Sequence, residues 1–92
     1  MKNNRILYQV WYDTKKDQQS TEIKTFYFLQ QAKKFVKKNE SKILNCQIEA
    51  VRQYYYEDTG WQTVQRKVYA WINDNISGWY EYEWTATESE RG

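Results

Sequence analysis

The chain has no proline, no histidine, one cysteine and only three glycines in 92 residues. With no histidine and a single thiol, neither a zinc-binding set nor a disulfide framework can be assembled, and Cys46 standing alone suits a reducing cytoplasm. The same absences remove Ser-His and Cys-His nucleophilic arrangements, leaving a perturbed carboxylate or lysine as the only general base near neutral pH. Nothing resembles a Pro- or Gly-rich linker, so one domain is expected, of a size that buries a little over ~60% of the surface its unfolded chain exposes. Long apolar runs are missing as well. The first one, residues 6 to 12, is interrupted by Gln9 and is too short and polar for a signal peptide or a membrane span. Together these absences predict a non-catalytic cytoplasmic protein with no cofactor and no bound metal.

Charge is present but unevenly placed. Residues 1 to 46 hold ten Lys/Arg against four Asp/Glu, and residues 47 to 92 hold four against eight, although the whole chain nets only +2. The first half is therefore a candidate anion-facing surface, while a solvated helix face gives the same count. Lysine, asparagine, tyrosine and isoleucine are plentiful and alanine is scarce, the usage of an AT-rich genome. In composition alone, with no motif to support it, the chain resembles small stand-alone proteins of phages and mobile elements.

Periodicity supplies the elements. Ile6, Tyr8, Val10 and Tyr12 alternate with Leu7, Gln9 and Trp11, the period of two that defines a strand. Residues 22 to 27 either return as a second strand or lead into a helix of about 14 residues, in which Phe28, Ala32, Phe35, Val36 and Ile43 recur at helical spacing. Lys33, Lys34, Lys37 and Lys38 lie across from that stripe. Three further strands follow as a meander. The predicted fold is α+β, a four- or five-stranded, mainly antiparallel sheet in the order β(β)αβββ with the helix packed on one face. Residues 1 to 86 form the compact domain and residues 87 to 92 a frayed tail.

A hairpin loop at Asp58, Thr59 and Gly60, with Gly60 in the left-handed position, sets Ala50 beside Val68 and Ile48 beside Ala70. The next hairpin, with Trp71 opposite Trp79, then places Tyr80, Tyr82 and Trp84 inside. The expected core is Ile6, Tyr8, Val10, Phe28, Ala32, Phe35, Val36, Ile48, Ala50, Val68, Ala70, Tyr82 and Trp84. One helix covers about half of one sheet face, so the seventeen aromatic residues cannot all be buried. The uncovered face is expected to carry Trp11, Tyr55, Trp61, Tyr69, Trp71 and Trp79, with Lys67, Glu81 and Glu83 among them. Trp and Tyr supply contact area at small entropic cost, which makes this a candidate partner-binding surface. Cross-strand ring pairs that only stabilise the sheet would look similar.

A second candidate is a basic patch of Lys33, Lys34, Lys37 and Lys38 with Arg52 and Arg66, suited to phosphate or to an acidic protein surface. Glu57 and Asp58 are adjacent acids best explained by turn chemistry. Glu81 and Glu83, at i and i+2, read as solvated partners of Lys67 in preference to a catalytic pair. Cys46, among Ile48 and Ala50, reads as a small buried residue. The leading expectation is a protein-binding module that occludes or modulates a larger partner, such as a host defence nuclease. Two alternatives stand beside it: a nucleic-acid binder using the basic helix with the exposed rings, and a homodimer that buries its own aromatic face.

Overall fold

β-strand alternation in the first dozen residues becomes β1 (Asn4–Thr14), with Val10 fully buried and its neighbours in register on both sides. It is followed by β2 (Glu22–Phe26), α1 (Leu29–Lys38), β3 (Ile43–Tyr56), β4 (Gly60–Ile72), β5 (Gly78–Glu81) and a two-residue β6 (Thr85–Ala86). The computed structural model describes residues 3–16, 20–72 and 78–86, with the backbone alone for 71, 72 and 78. Residues 87 to 92, expected to fray, lie outside the described residues. The segment at 22 to 27 is thus a strand at Glu22–Phe26, and the α+β class holds with five strands plus the β6 bridge.

All pairings are antiparallel, in the spatial order β2-β1-β3-β4-β5, with β6 added to β4. The helix lies against β1, β2 and β3 and leaves the β4–β5 half uncovered. It is ten residues long, shorter than its apolar spacing suggests. Asn39 ends it: its side-chain amide donates to the Phe35 carbonyl at 2.8 Å, and the Ile43 N–H turns back to the Asn39 carbonyl at 3.1 Å. Ile43 fits the helical period only because the first residue of β3 passes beneath the helix. Phe28 is the N-cap and is 65% exposed, so it does not join the core; Leu29 packs there instead.

The core consists of Val10, Ala32, Val36, Ile43, Ile48, Ala50 and Tyr69. Each fully buried Val or Ile contributes roughly 1.5–3 kcal/mol of transfer free energy. Around them Phe35 meets Tyr12 edge-on at 5.4 Å and Phe26 at 5.6 Å. Trp79 and Trp84 close the core over the half that the helix leaves open.

The register between β3 and β4 differs from the expected one. Tyr56 pairs with Gly60, whose φ of 80° opens the strand directly after a three-residue loop. A bulge at Arg52/Gln53 then shifts the ladder, so that Ile48 faces Tyr69, Glu49 faces Val68 and Ala50 faces Lys67. The pairing of Trp71 with Trp79 and Ala70 with Tyr80 is as expected. Because side chains alternate along a strand, one residue of slip inverts every face of β4 beyond the bulge and of β5 with it. Val68 and Ala70 therefore leave the core for the second face, Tyr82 is exposed, and Tyr69 and Trp79 go inside. Counting apolar pairs alone misses what this register gains. It buries a whole Tyr ring where the alternative buries a Val, and it lets Arg66 reach Glu49 at 2.6 Å.

Candidate interaction surface

The second sheet face, opposite the helix, has no element packed over it among the described residues. Arg5 and Leu7 of β1, Val51, Gln53 and Tyr55 of β3, and Trp61 and Thr63 of β4 share this face by register. Val51 is buried here, away from the main core, with Leu7 and Arg66 opposite it on either side.

At the hairpin end the rings are locked together. Tyr55 and Trp61 meet edge-on at 5.4 Å, and the Arg5 guanidinium sits 4.1 Å over the Trp61 ring. Arg5 Nε donates to Gln53 Oε1 at 2.8 Å, and Gln53 Nε2 donates to Thr63 Oγ1 at 3.1 Å. A chain of partners of this kind fixes rotamers before any ligand arrives, which reduces the entropy lost on binding. Toward β5 the same face sinks into an open groove of about 400 Å³, floored by Val68 and Ala70 and walled by Tyr82, Gln47 and Arg66. Tyr80 and Tyr82 meet at 4.8 Å with their rings tilted by 59° on the β5 side and are 55% and 52% exposed. The Arg66–Glu49 pair is neutral in sum, and Glu83, which also lines the groove, leaves this side net negative.

Of the residues expected on this surface, Trp11, Tyr55 and Trp61 belong to it. Trp11 is half-buried, and its indole Nε1–H is buried with no acceptor among the described residues. Tyr69, Trp79 and Lys67 are corrections, since the inverted parity carries all three to the helix side. The Trp71 backbone pairs with Trp79, and its side chain lies outside the described residues. Tyr80 and Tyr82, expected inside, are the main rings that the structure adds to this face. Their i, i+2 spacing marks them as sharing a face, but which face depends on the bulge at Arg52/Gln53, for which the sequence carries no signal.

The expected basic patch divides. Lys34, Lys37 and Lys38 are exposed on α1, with Lys37 and Lys38 in its last turn, where they complement the helix dipole. Arg66 is a correction: it lies on the second face, bound to Glu49, and does not sit opposite Arg52. Arg52 stays on the helix side, stacked 4.6 Å over Trp84, with Lys67 Nζ 5.9 Å from the same ring. Lys67 and Lys33 both approach the Tyr69 ring, at 5.4 and 5.9 Å. The hydrogen bond to Glu81 holds the Lys67 ammonium above its ordinary pKa. Burial does the same for the Tyr69 phenol, and it pushes the Cys46 thiol from 9.0 up to about 12. Cys46 is thus the opposite of an activated nucleophile.

Among the described residues no group of three His, Cys, Asp or Glu is arranged to hold a metal ion, and no helix is long and apolar enough to cross a membrane. No protein-family model, curated protein or solved structure matches the chain, which leaves its own geometry as the ground for a functional reading.

Proposed function

We propose that this protein is a small non-catalytic module that docks on a larger protein through its second sheet face. The observation that carries this reading is the coincidence, on one uncovered face, of an apolar-floored groove, a Tyr80–Tyr82 pair and a preorganised Tyr55–Trp61–Arg5 cluster. Exposed rings of this type, sharing a face with an apolar groove and held by polar side chains, are the chemistry of interface hot spots. Arg66 beside the groove is paired with Glu49 and Glu83 adds a carboxylate to the lining, which favours an uncharged or basic, partly apolar epitope over a polyanion. The composition and small size fit a modulator or inhibitor of a host enzyme in a phage or mobile-element setting. The lone thiol fits a reducing cytoplasm.

The nucleic-acid reading needs exposed rings and helix lysines on one surface. Here Tyr55, Trp61, Tyr80 and Tyr82 lie on the face opposite α1, so a strand stacked on the rings would not meet Lys34, Lys37 or Lys38. Self-association would use the same face as the proposed docking.

The test compares affinity capture from a bacterial lysate by wild type, by a Tyr82→Ala/Ala70→Arg variant that blocks the groove, and by a Lys34→Glu/Lys37→Glu control. Loss of a captured protein only in the groove variant is the expected result. Equal capture by all three refutes the assignment, and a dimer in sedimentation that the groove variant abolishes identifies the second copy as the occupant.

A further inference from the structure

On the helix side, in the half that α1 leaves uncovered, cations and rings alternate in the order Lys33, Tyr69, Lys67, Trp84, Arg52, with each cation 4.6 to 5.9 Å from its neighbouring ring. This row is separate from the docking face and independent of that reading. Its members differ in how they are satisfied. Lys67 is paired with Glu81. Arg52 has no carboxylate partner among the described residues, and its Nε–H is buried without an acceptor.

A half-buried guanidinium held by a ring alone is unusual, because partly desolvated charge costs free energy that an anion normally offsets. The Trp84 ring holds the guanidinium from one side at 4.6 Å while leaving its terminal Nη donors uncommitted. The neighbouring acids are Glu81 and Glu83, both acting on Lys67, set against three cations. An anion with several oxygens can engage the fork and an ammonium together, which a single carboxylate does less well.

We propose that Arg52, with Lys67 beside it across Trp84, forms a binding site for a phosphate group. Arg52 supplies the oriented fork, Lys67 supplies a second charge in competition with Glu81, and Lys33 extends the positive field toward the helix. The shared ligand chemistry is the phosphate group, either free or as part of a nucleic-acid backbone.

The experiment follows the arginine Nε–H resonances of the ¹⁵N-labelled full chain, with Arg52 assigned by its loss in Arg52→Lys. Inorganic phosphate, a short oligothymidylate and a glutamate peptide of equal charge are titrated in turn. The expected result is a saturable shift of the Arg52 signal with phosphate. Arg52→Gln should weaken binding about tenfold to a hundredfold, the size of one or two charge-assisted hydrogen bonds. Glu81→Gln, at a half-exposed side chain, should strengthen it by releasing Lys67. Tighter binding of the oligothymidylate than of phosphate identifies a nucleic-acid backbone as the source, and equal or weaker binding identifies free phosphate. The proposal is overturned if no ligand shifts the signal, if the glutamate peptide binds as tightly as phosphate, or if Arg52→Gln, folded by circular dichroism, binds unchanged.

Discussion

Replacing Tyr69 by Ala and, separately, Val68 by Lys tests the feature on which both surfaces depend, the register of β4. Tyr69 is 7% exposed and packs with Ile48 and Ala50, whereas Val68 is only half-buried on the second face opposite Glu49. A buried Tyr removes roughly 150–250 Å² from water, or about 4–6 kcal/mol at ~25 cal/mol per Å². Compactness of the unfolded chain lowers that by ~10–40%, giving roughly 3–5 kcal/mol, the range found for ring-to-Ala changes in cores. Val68→Lys places a long, flexible stem on an open face beside the Glu49 carboxylate and should cost less than ~1 kcal/mol. Urea unfolding followed by tryptophan fluorescence reads the difference: at a slope of about 1–3 kcal/mol/M, Tyr69→Ala lowers the midpoint by more than ~1 M. Val68→Lys leaves it nearly unchanged. Should Val68→Lys prove the more damaging of the two, the register is the other one, with Ala50 beside Val68, and the assignment of Tyr80 and Tyr82 to the open face fails with it.

Two further outcomes concern the helix and pH. Phe28 is an N-cap with no side-chain bond to the helix, and the first turn carries no acid; Phe28→Asp should therefore stabilise by about 1 kcal/mol, through capping of a free N–H and a favourable dipole interaction, read as a higher thermal midpoint. Cys46, Tyr69 and Lys67 all bind their protons more tightly folded than unfolded, so each contributes stability that is complete below its ordinary value and is lost as pH rises through the folded one. With those ordinary values at 9.0, 10.0 and 10.5, the urea midpoint should stay flat up to about pH 9 and fall above it. Cys46→Ala should remove the earliest part of that fall, and a midpoint unchanged between pH 9 and 11 would contradict the burial of Cys46 and Tyr69 and the hydrogen bond from Lys67 to Glu81.

Local pattern determines a good part of the molecule without any tertiary contact. The alternation in residues 6 to 12 places Val10 inside and Trp11 outside because a strand's period of two needs no partner to define it. The spacing of Ala32, Phe35 and Val36 defines a helix stripe for the same reason, and Gly60 marks the hairpin because a left-handed residue opens the strand there. The face shared by Tyr55 and Trp61, and the partnership of Lys67 with Glu81, follow from hairpin geometry. Tertiary structure decided the parity of β4 and β5. A single bulge at Arg52/Gln53 inverts β4 beyond Thr63, and β5 with it, at little local cost, and what selects it is the burial of Tyr69 beside Ile48 together with the Arg66–Glu49 pair, contacts between residues 17 to 21 positions apart. The dense aromatic stretch at 79 to 84 therefore has two roles that its sequence does not separate. Trp79 and Trp84 complete the core beyond the end of the helix, and Tyr80 and Tyr82 remain exposed beside the groove because Ala70 and Val68, across the ladder, are too small to cover them.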